Sequence, residues 1–153
     1  MKIVSKNAAQ TKALAARLAT RTLNVQPLTS NATVVALVGD LGAGKTTFAQ
    51  GFAKGLGIKH RVASPTFLIM RPYPLRHKKY ELFYHVDVYR INQPSELENL
   101  HFRHVLREPH NIVLVEWADK VKKVLPQNTL WIYFEYGRTA KERSLVVRNR
   151  QLR

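Results

Sequence analysis

The run Gly39-Asp40-Leu41-Gly42-Ala43-Gly44-Lys45-Thr46 matches G-x-x-x-x-G-K-[ST] at every fixed position. Those residue types at that spacing bind phosphate. Glycine permits backbone conformations that bring main-chain N–H groups close to phosphate oxygens. Lys45 supplies a cation for the β- and γ-phosphates, and the Thr46 hydroxyl is a ligand for Mg²⁺. A helix starting at this point adds unsatisfied N-terminal donors and a favourable dipole. The residues from Gly39 to Thr47 are therefore the candidate nucleotide-binding set.

A phosphate loop needs a second carboxylate to organise its metal, usually at the end of a buried strand. Glu116 follows Ile112-Val113-Leu114-Val115 and holds that position, the alternative being a solvated acid where a strand meets a loop. Asp87 lies in His85-Val86-Asp87-Val88-Tyr89-Arg90. Strand alternation sets Leu82, Tyr84, Val86 and Val88 on one face, with Glu81, Phe83, His85, Asp87 and Tyr89 on the other. Asp87 either orients an attacking water or is a solvated strand residue, and spacing leaves both open. Trp117 either stacks on a base or plugs the core at a strand end. His101 and His104 are three apart, with no cysteine and no further ligand pair nearby, so they read as surface histidines.

The elements that position these residues are legible in outline. Residues 8–21 read as a helix with Leu14 and Leu18 on its apolar face. Thr33 to Val38 is a strand buried on both faces, and a helix follows from about Lys45 to Leu56, capped by Gly57. Thr66–Arg71 and Tyr80–Tyr89 predict two strands of an antiparallel hairpin, because their link is too short for a parallel crossover. That link contains Pro72 and Pro74, which cannot donate to a ladder. Pro94-Ser95-Glu96 predicts a helix start, and Ile112–Val115 another buried strand. Leu130–Tyr136 and Ser144–Arg148 bracket Gly137 as a final hairpin. The expectation is one domain over residues 1–153, a P-loop NTPase-type three-layer α/β fold. Its mixed sheet is parallel around the nucleotide site and antiparallel elsewhere.

Composition adds a partner class. Twenty-five Lys and Arg against ten Asp and Glu give a net charge of +15, and no acid precedes Asp40. Such imbalance suits a polyanion such as RNA or an acidic protein surface, or it merely keeps a basic protein soluble. The first ten residues lack the apolar core of a signal peptide, and no apolar run is long enough to span a bilayer. A cytoplasmic location is expected. With no cysteine in the chain, disulfides and thiolate sites are excluded.

Asn-Lys-x-Asp and a following Asp-x-x-Gly switch are both missing, which argues against a GTPase. A small-molecule kinase would need an acceptor pocket and a cationic lid. Arg71–Lys79 could serve as the lid, but no acceptor constellation is visible. An ATP-gated tRNA-binding module is the other alternative.

The phosphate loop with Thr47-Phe48, then Ser64-Pro65-Thr66-Phe67, His85-Val86-Asp87-Val88-Tyr89-Arg90, Glu96-Leu97-Glu98 and Glu116-Trp117, resembles in order the TsaE (YjeE) family. Its members are small ATPases of bacterial tRNA threonylcarbamoyladenosine (t⁶A) synthesis. The resemblance implies ATP and Mg²⁺ as cofactors, TsaD and TsaB as protein partners, and tRNA as an indirect one. ATP turnover would then reset the partner complex, and the transfer to tRNA would be made elsewhere. It also implies roles. Lys45 and Thr46 hold phosphates and Mg²⁺, and Glu116 joins the metal site. Asp87 organises the attacking water, Trp117 packs on the base, and Thr66 lies in a loop resembling a nucleotide-sensing switch. Two features depart from the family: His101 stands near where it usually has glycine, and the chain is strongly basic where its relatives are acidic.

Overall fold

Thr33–Val38 carries no charge and its middle four residues are buried, the pattern of a strand with layers on both sides. The computed structural model, which describes residues 1–27, 29–64 and 68–149, places it at the centre. The strands are β1 (Lys2–Ser5), β2 (Thr33–Val38), β3 (Met70–Pro74), β4 (Leu82–Asp87), β5 (Asn111–Glu116), β6 (Leu130–Tyr136) and β7 (Arg143–Asn149). The helices are α1 (Ala8–Asn24), α2 (Lys45–Gly55) and α3 (Phe102–Arg107), with 3₁₀ segments at Pro94–Leu100 and Ala118–Val121.

The sheet order is β1-β7-β6-β2-β5-β4-β3. Strand β2 runs parallel to β5 and β6, and β4 parallel to β5. The pairs β3–β4, β6–β7 and β1–β7 are antiparallel. The mixed sheet thus has the predicted division. Val35 and Leu37 pack with Ile112, Leu114, Phe48 and Phe52 on one face, beneath α1 and α2. Val34 and Ala36 pack with Val113, Val115, Leu97 and Phe102 on the other, beneath α3 and the 3₁₀ segments. The result is three layers.

Three details differ from the sequence-based expectation. First, β1 was not predicted; its four residues carry too little pattern, and they pair with β7 at the far end of the chain. Second, β3 continues through Pro72 and Pro74 instead of ending before them. It is the outermost strand, where one side needs no ladder donors. Third, α1 buries Thr11, Ala15 and Ala19 most deeply, leaving Leu14 and Leu18 at the margin.

Small residues face inward there because α2 runs unusually close. A Cβ on Gly51 would lie 2.4 Å from the Lys12 carbonyl oxygen and 2.5 Å from Lys12 Cα. Gly51→Ala is expected to force the helices apart, costing roughly 1–3 kcal/mol despite the better helix propensity of alanine. A thermal melt should then show Tm lower by roughly 2–12 °C, at about 2–4 °C per kcal/mol for a chain of this size. An unchanged Tm would mean that the helices do not depend on this contact.

The segment after Pro94 opens with a capping box, in which Glu96 Oε1 accepts from the backbone N–H of Gln93 at 3.1 Å. It ends on His101, whose φ of 54° and ψ of 32° are left-handed. Glycine adopts that conformation freely, whereas a β-carbon makes it cost about 1–2 kcal/mol. His101→Gly should therefore stabilise the protein by about 0.5–1 kcal/mol after the extra unfolded-state entropy of glycine. Denaturant midpoints read this directly, and a lower midpoint would show that the His101–His104 ring contact at 5.9 Å outweighs the strain.

Candidate functional site

Parallel strands end together, so the C-termini of β2, β4 and β5 lie at one edge of the sheet. Register pairs Leu37 with Glu116 and Glu116 with Asp87. The phosphate loop leaves β2 at the same edge and enters α2 through Gly44, whose φ of 103° excludes a β-carbon without strain.

The acidic and basic side chains (Asp, Glu, Lys, Arg, His) buried among the described residues are Lys45, His85, Asp87 and Glu116, each no more than 4% exposed. All four gather at this edge. Thr46 Oγ1 donates to Glu116 Oε2 at 3.0 Å, and His85 Nε2–H donates to Glu116 Oε1 at 2.7 Å. Both oxygens of Glu116 are thereby oriented, by residues 70 and 31 positions away. Asp87 Oδ2 accepts from Ser64 Oγ at 2.5 Å and its Oδ1 from the Tyr89 N–H at 2.9 Å.

Lys45 is the centre of charge. Its ammonium donates to the carbonyls of Gly39 at 2.5 Å and Asp40 at 2.8 Å, and lies 4.0 Å from the centroid of the Trp117 ring. Burial lowers its pKa below the usual lysine value, opposed by the carboxylates of Glu116, Asp87, Asp40 and Asp119. Trp117 itself is held at φ 60°, and its ring meets Tyr89 at 4.9 Å. Ile69, a β-branched residue at φ 62°, accepts from the Asp87 N–H at 2.8 Å. Two of the three non-glycine residues with positive φ among those described thus border the candidate site, where backbone strain tends to be kept.

The donor set suits a magnesium nucleotide. A hydroxyl and a carboxylate oxygen from different elements sit 3.0 Å apart beside a buried ammonium. Among the described residues no cluster of three or more His, Cys, Asp or Glu could enclose a metal alone. Mg²⁺ fits such a sparse set, since it commonly takes one or two protein ligands and completes its shell with phosphate and water.

Several contacts were not foreseen from sequence. Tyr136 donates its hydroxyl to the Leu41 carbonyl at 2.5 Å, and Arg143 Nη2 donates to the Gly42 carbonyl at 3.1 Å. These residues pair across the β6–β7 hairpin and tie down the outer side of the phosphate loop. No local pattern could have found them, because the partners are 95 and 101 residues apart. Ser64 was read only as part of a motif, and its bond to Asp87 is new. Thr66 lies outside the described residues. A cavity of about 470 Å³ opens beside the loop, lined by Asn7, Ala8, Gly42, Gly44, Thr47 and Arg143 among others.

Comparison with known proteins gives a consistent answer. The family model described as "Threonylcarbamoyl adenosine biosynthesis protein TsaE" matches residues 5–145. The tRNA threonylcarbamoyladenosine biosynthesis protein TsaE of Haemophilus influenzae is 36% identical over 118 residues, covering 77% of this chain and 72% of that one. The protein of the same name from Bacillus subtilis is 46% identical over 105 residues, 65% of this chain and 59% of its own length. The crystal structure of Bacillus subtilis YdiB is similar over 95% of this chain and 82% of that one, with a TM-score of 0.66 and 33% identity.

Proposed function

Because the chain belongs to the TsaE family, we propose that it binds and hydrolyses ATP in support of tRNA t⁶A synthesis. One observation carries the ATP reading: the buried acidic and basic side chains among the described residues converge on a complete phosphate loop. Burying charge is costly unless the charge is paired or put to use. Lys45 binds the terminal phosphates, while Thr46 and Glu116 hold Mg²⁺. His85 fixes Glu116 in place. Bound Mg²⁺ would neutralise charge on the β- and γ-phosphate oxygens. Asp87, one strand over from Glu116, orients the attacking water.

The geometry supports a different base position from the one expected of Trp117. Its ring faces the Lys45 ammonium, at the phosphate end. The cavity beside Gly42, Gly44 and Thr47 lies along the start of α2, where the nucleoside would extend from the loop. We assign the base to that cavity and give Trp117 the task of covering Lys45.

Water is the proposed acceptor, and the partners are the TsaD and TsaB proteins, whose complex performs the transfer to tRNA. None of the described helices is long and apolar enough to cross a membrane. The reading is tested by steady-state phosphate release and multiple-turnover tRNA modification, each with and without the cognate TsaD and TsaB. Hydrolysis should be slow alone and change when the pair is added. Indifference to the pair in both assays rejects the assignment, and ADP formation dependent on a small-molecule acceptor would replace it with a kinase.

A further inference from the structure

Four carboxylates gather at one end of the sheet. Glu116, Asp87, Asp40 and Asp119 all act on Lys45 at the end that carries the phosphate loop. The opposite edge is built from the end of α2 with its following loop, the β3–β4 tip, and the turn before β5. Hydrogen bonds join the last two pieces: the Glu81 N–H donates to the His110 carbonyl at 2.8 Å, and His110 Nδ1–H to the Lys79 carbonyl at 3.1 Å. A groove of about 400 Å³ between the first two pieces is lined by Lys59, His60 and Arg76 together with the apolar Ile58, Tyr73 and Leu75.

This edge presents Lys54, Lys59, Arg76, Lys78, Lys79 and Arg107, with Glu81 and Glu108 as its carboxylates. Among the described residues none of those six cations forms an ion pair. Like charges crowded together repel, and a polyanion relieves that repulsion. The apolar residues of that groove are buried or half-buried apart from Pro74, and the edge exposes no large hydrophobic side chain. The large exposed hydrophobics among the described residues are Met1, Val4, Val25, Leu41, Leu68, Tyr89 and Tyr136, and none belongs to these three pieces. Protein interfaces have apolar or aromatic centres depleted of charge, whereas nucleic-acid surfaces are polar and basic.

We propose that this edge docks the phosphate backbone of a folded RNA. The inference rests on charge and exposure, and stands apart from the ATP reading.

The test is fluorescence anisotropy with a labelled, unmodified tRNA transcript, run beside poly-L-glutamate. Lys59→Glu/Lys78→Glu is compared with Lys122→Glu/Lys123→Glu, which reverses two exposed lysines elsewhere and changes net charge equally. The edge variant should lose at least about tenfold in affinity for the transcript, and the slope of log K against log salt should shrink by about 2. The other variant should stay within about threefold of wild type. Equal losses in both variants would reduce the effect to overall charge and overturn the proposal. So would a transcript that fails to bind at about 0.1 M salt. Tighter binding of poly-L-glutamate than of the transcript, lost in the same edge variant, would assign the edge to an acidic protein instead.

Discussion

Asp87→Asn is expected to slow phosphate release by about 10²–10⁴-fold while ATP affinity stays within about threefold of wild type. Positioned proton acceptors contribute on that scale, equivalent to about 2.7–5.4 kcal/mol of barrier. Asparagine is the informative replacement because both carboxylate oxygens are engaged. The Tyr89 N–H keeps an acceptor and Ser64 keeps a partner if the amide places its oxygen toward Tyr89 and its NH₂ donates to the Ser64 oxygen, reversing that bond. Alanine would leave those groups without that partner, confounding turnover with local folding at about 1–3 kcal/mol per lost bond. Equilibrium titration gives the affinity, and steady-state phosphate release gives the rate. A wild-type rate in the asparagine variant removes Asp87 from the reaction. A joint collapse of affinity and rate would move it into the metal shell beside Glu116.

Asp87 is held from two segments that precede it in the chain. Ser64 reaches Asp87 from the chain leading to Thr66, and Ile69 holds the Asp87 backbone from the other side. Any shift of Ser64 or Ile69 is therefore felt at the residue proposed to hold the water. A shared hydrogen bond is a shorter route for such coupling than movement of the sheet, which is packed on both faces.

What could be read in the sequence was what repeats at short range. The phosphate loop and β2 are local patterns, and Glu116 follows an apolar run that admits few readings. Alternation correctly put Phe83 and His85 on the face opposite Val86 and Val88. Harder features depend on what another segment brings. Leu14 and Leu18 looked like the buried stripe of α1, yet Gly51 and Gly55 on α2 leave room only for a near approach, so Ala15 and Ala19 take the centre. Pro72 and Pro74 looked like strand breakers, yet an edge strand tolerates them. Tyr136 and Arg143 became part of the site only when the last hairpin folded against the phosphate loop. The His101 departure acquired a physical meaning too: a residue with a β-carbon is carrying a glycine conformation.

Lys45→Met should separate binding from stability, because the two move in opposite directions. Removing the ammonium takes away a buried, charge-assisted contact to the terminal phosphates, of a kind worth about 2–5 kcal/mol on truncation. ATP affinity should fall by about 30- to 5,000-fold, measured by calorimetry, and an ATP concentration that saturates wild type should raise Tm less. Stability without ATP should not fall. Burial lowers the folded-state pKa of Lys45, so between that value and the ordinary lysine value of 10.5 the unfolded chain binds more protons. Stability therefore rises with pH across that window, and the charge is a net cost to the fold at neutral pH. Methionine keeps the stem and removes the cost, so the melt should be unchanged or higher. The same proton governs binding in wild type. The ammonium is the form that holds phosphate, and affinity should weaken on the alkaline side earlier than an ordinary lysine would require. A destabilised methionine variant would mean that attraction to Glu116, Asp87, Asp40 and Asp119 outweighs burial, reversing the order of causes. Undiminished ATP affinity in that variant would remove Lys45 from the phosphate site altogether.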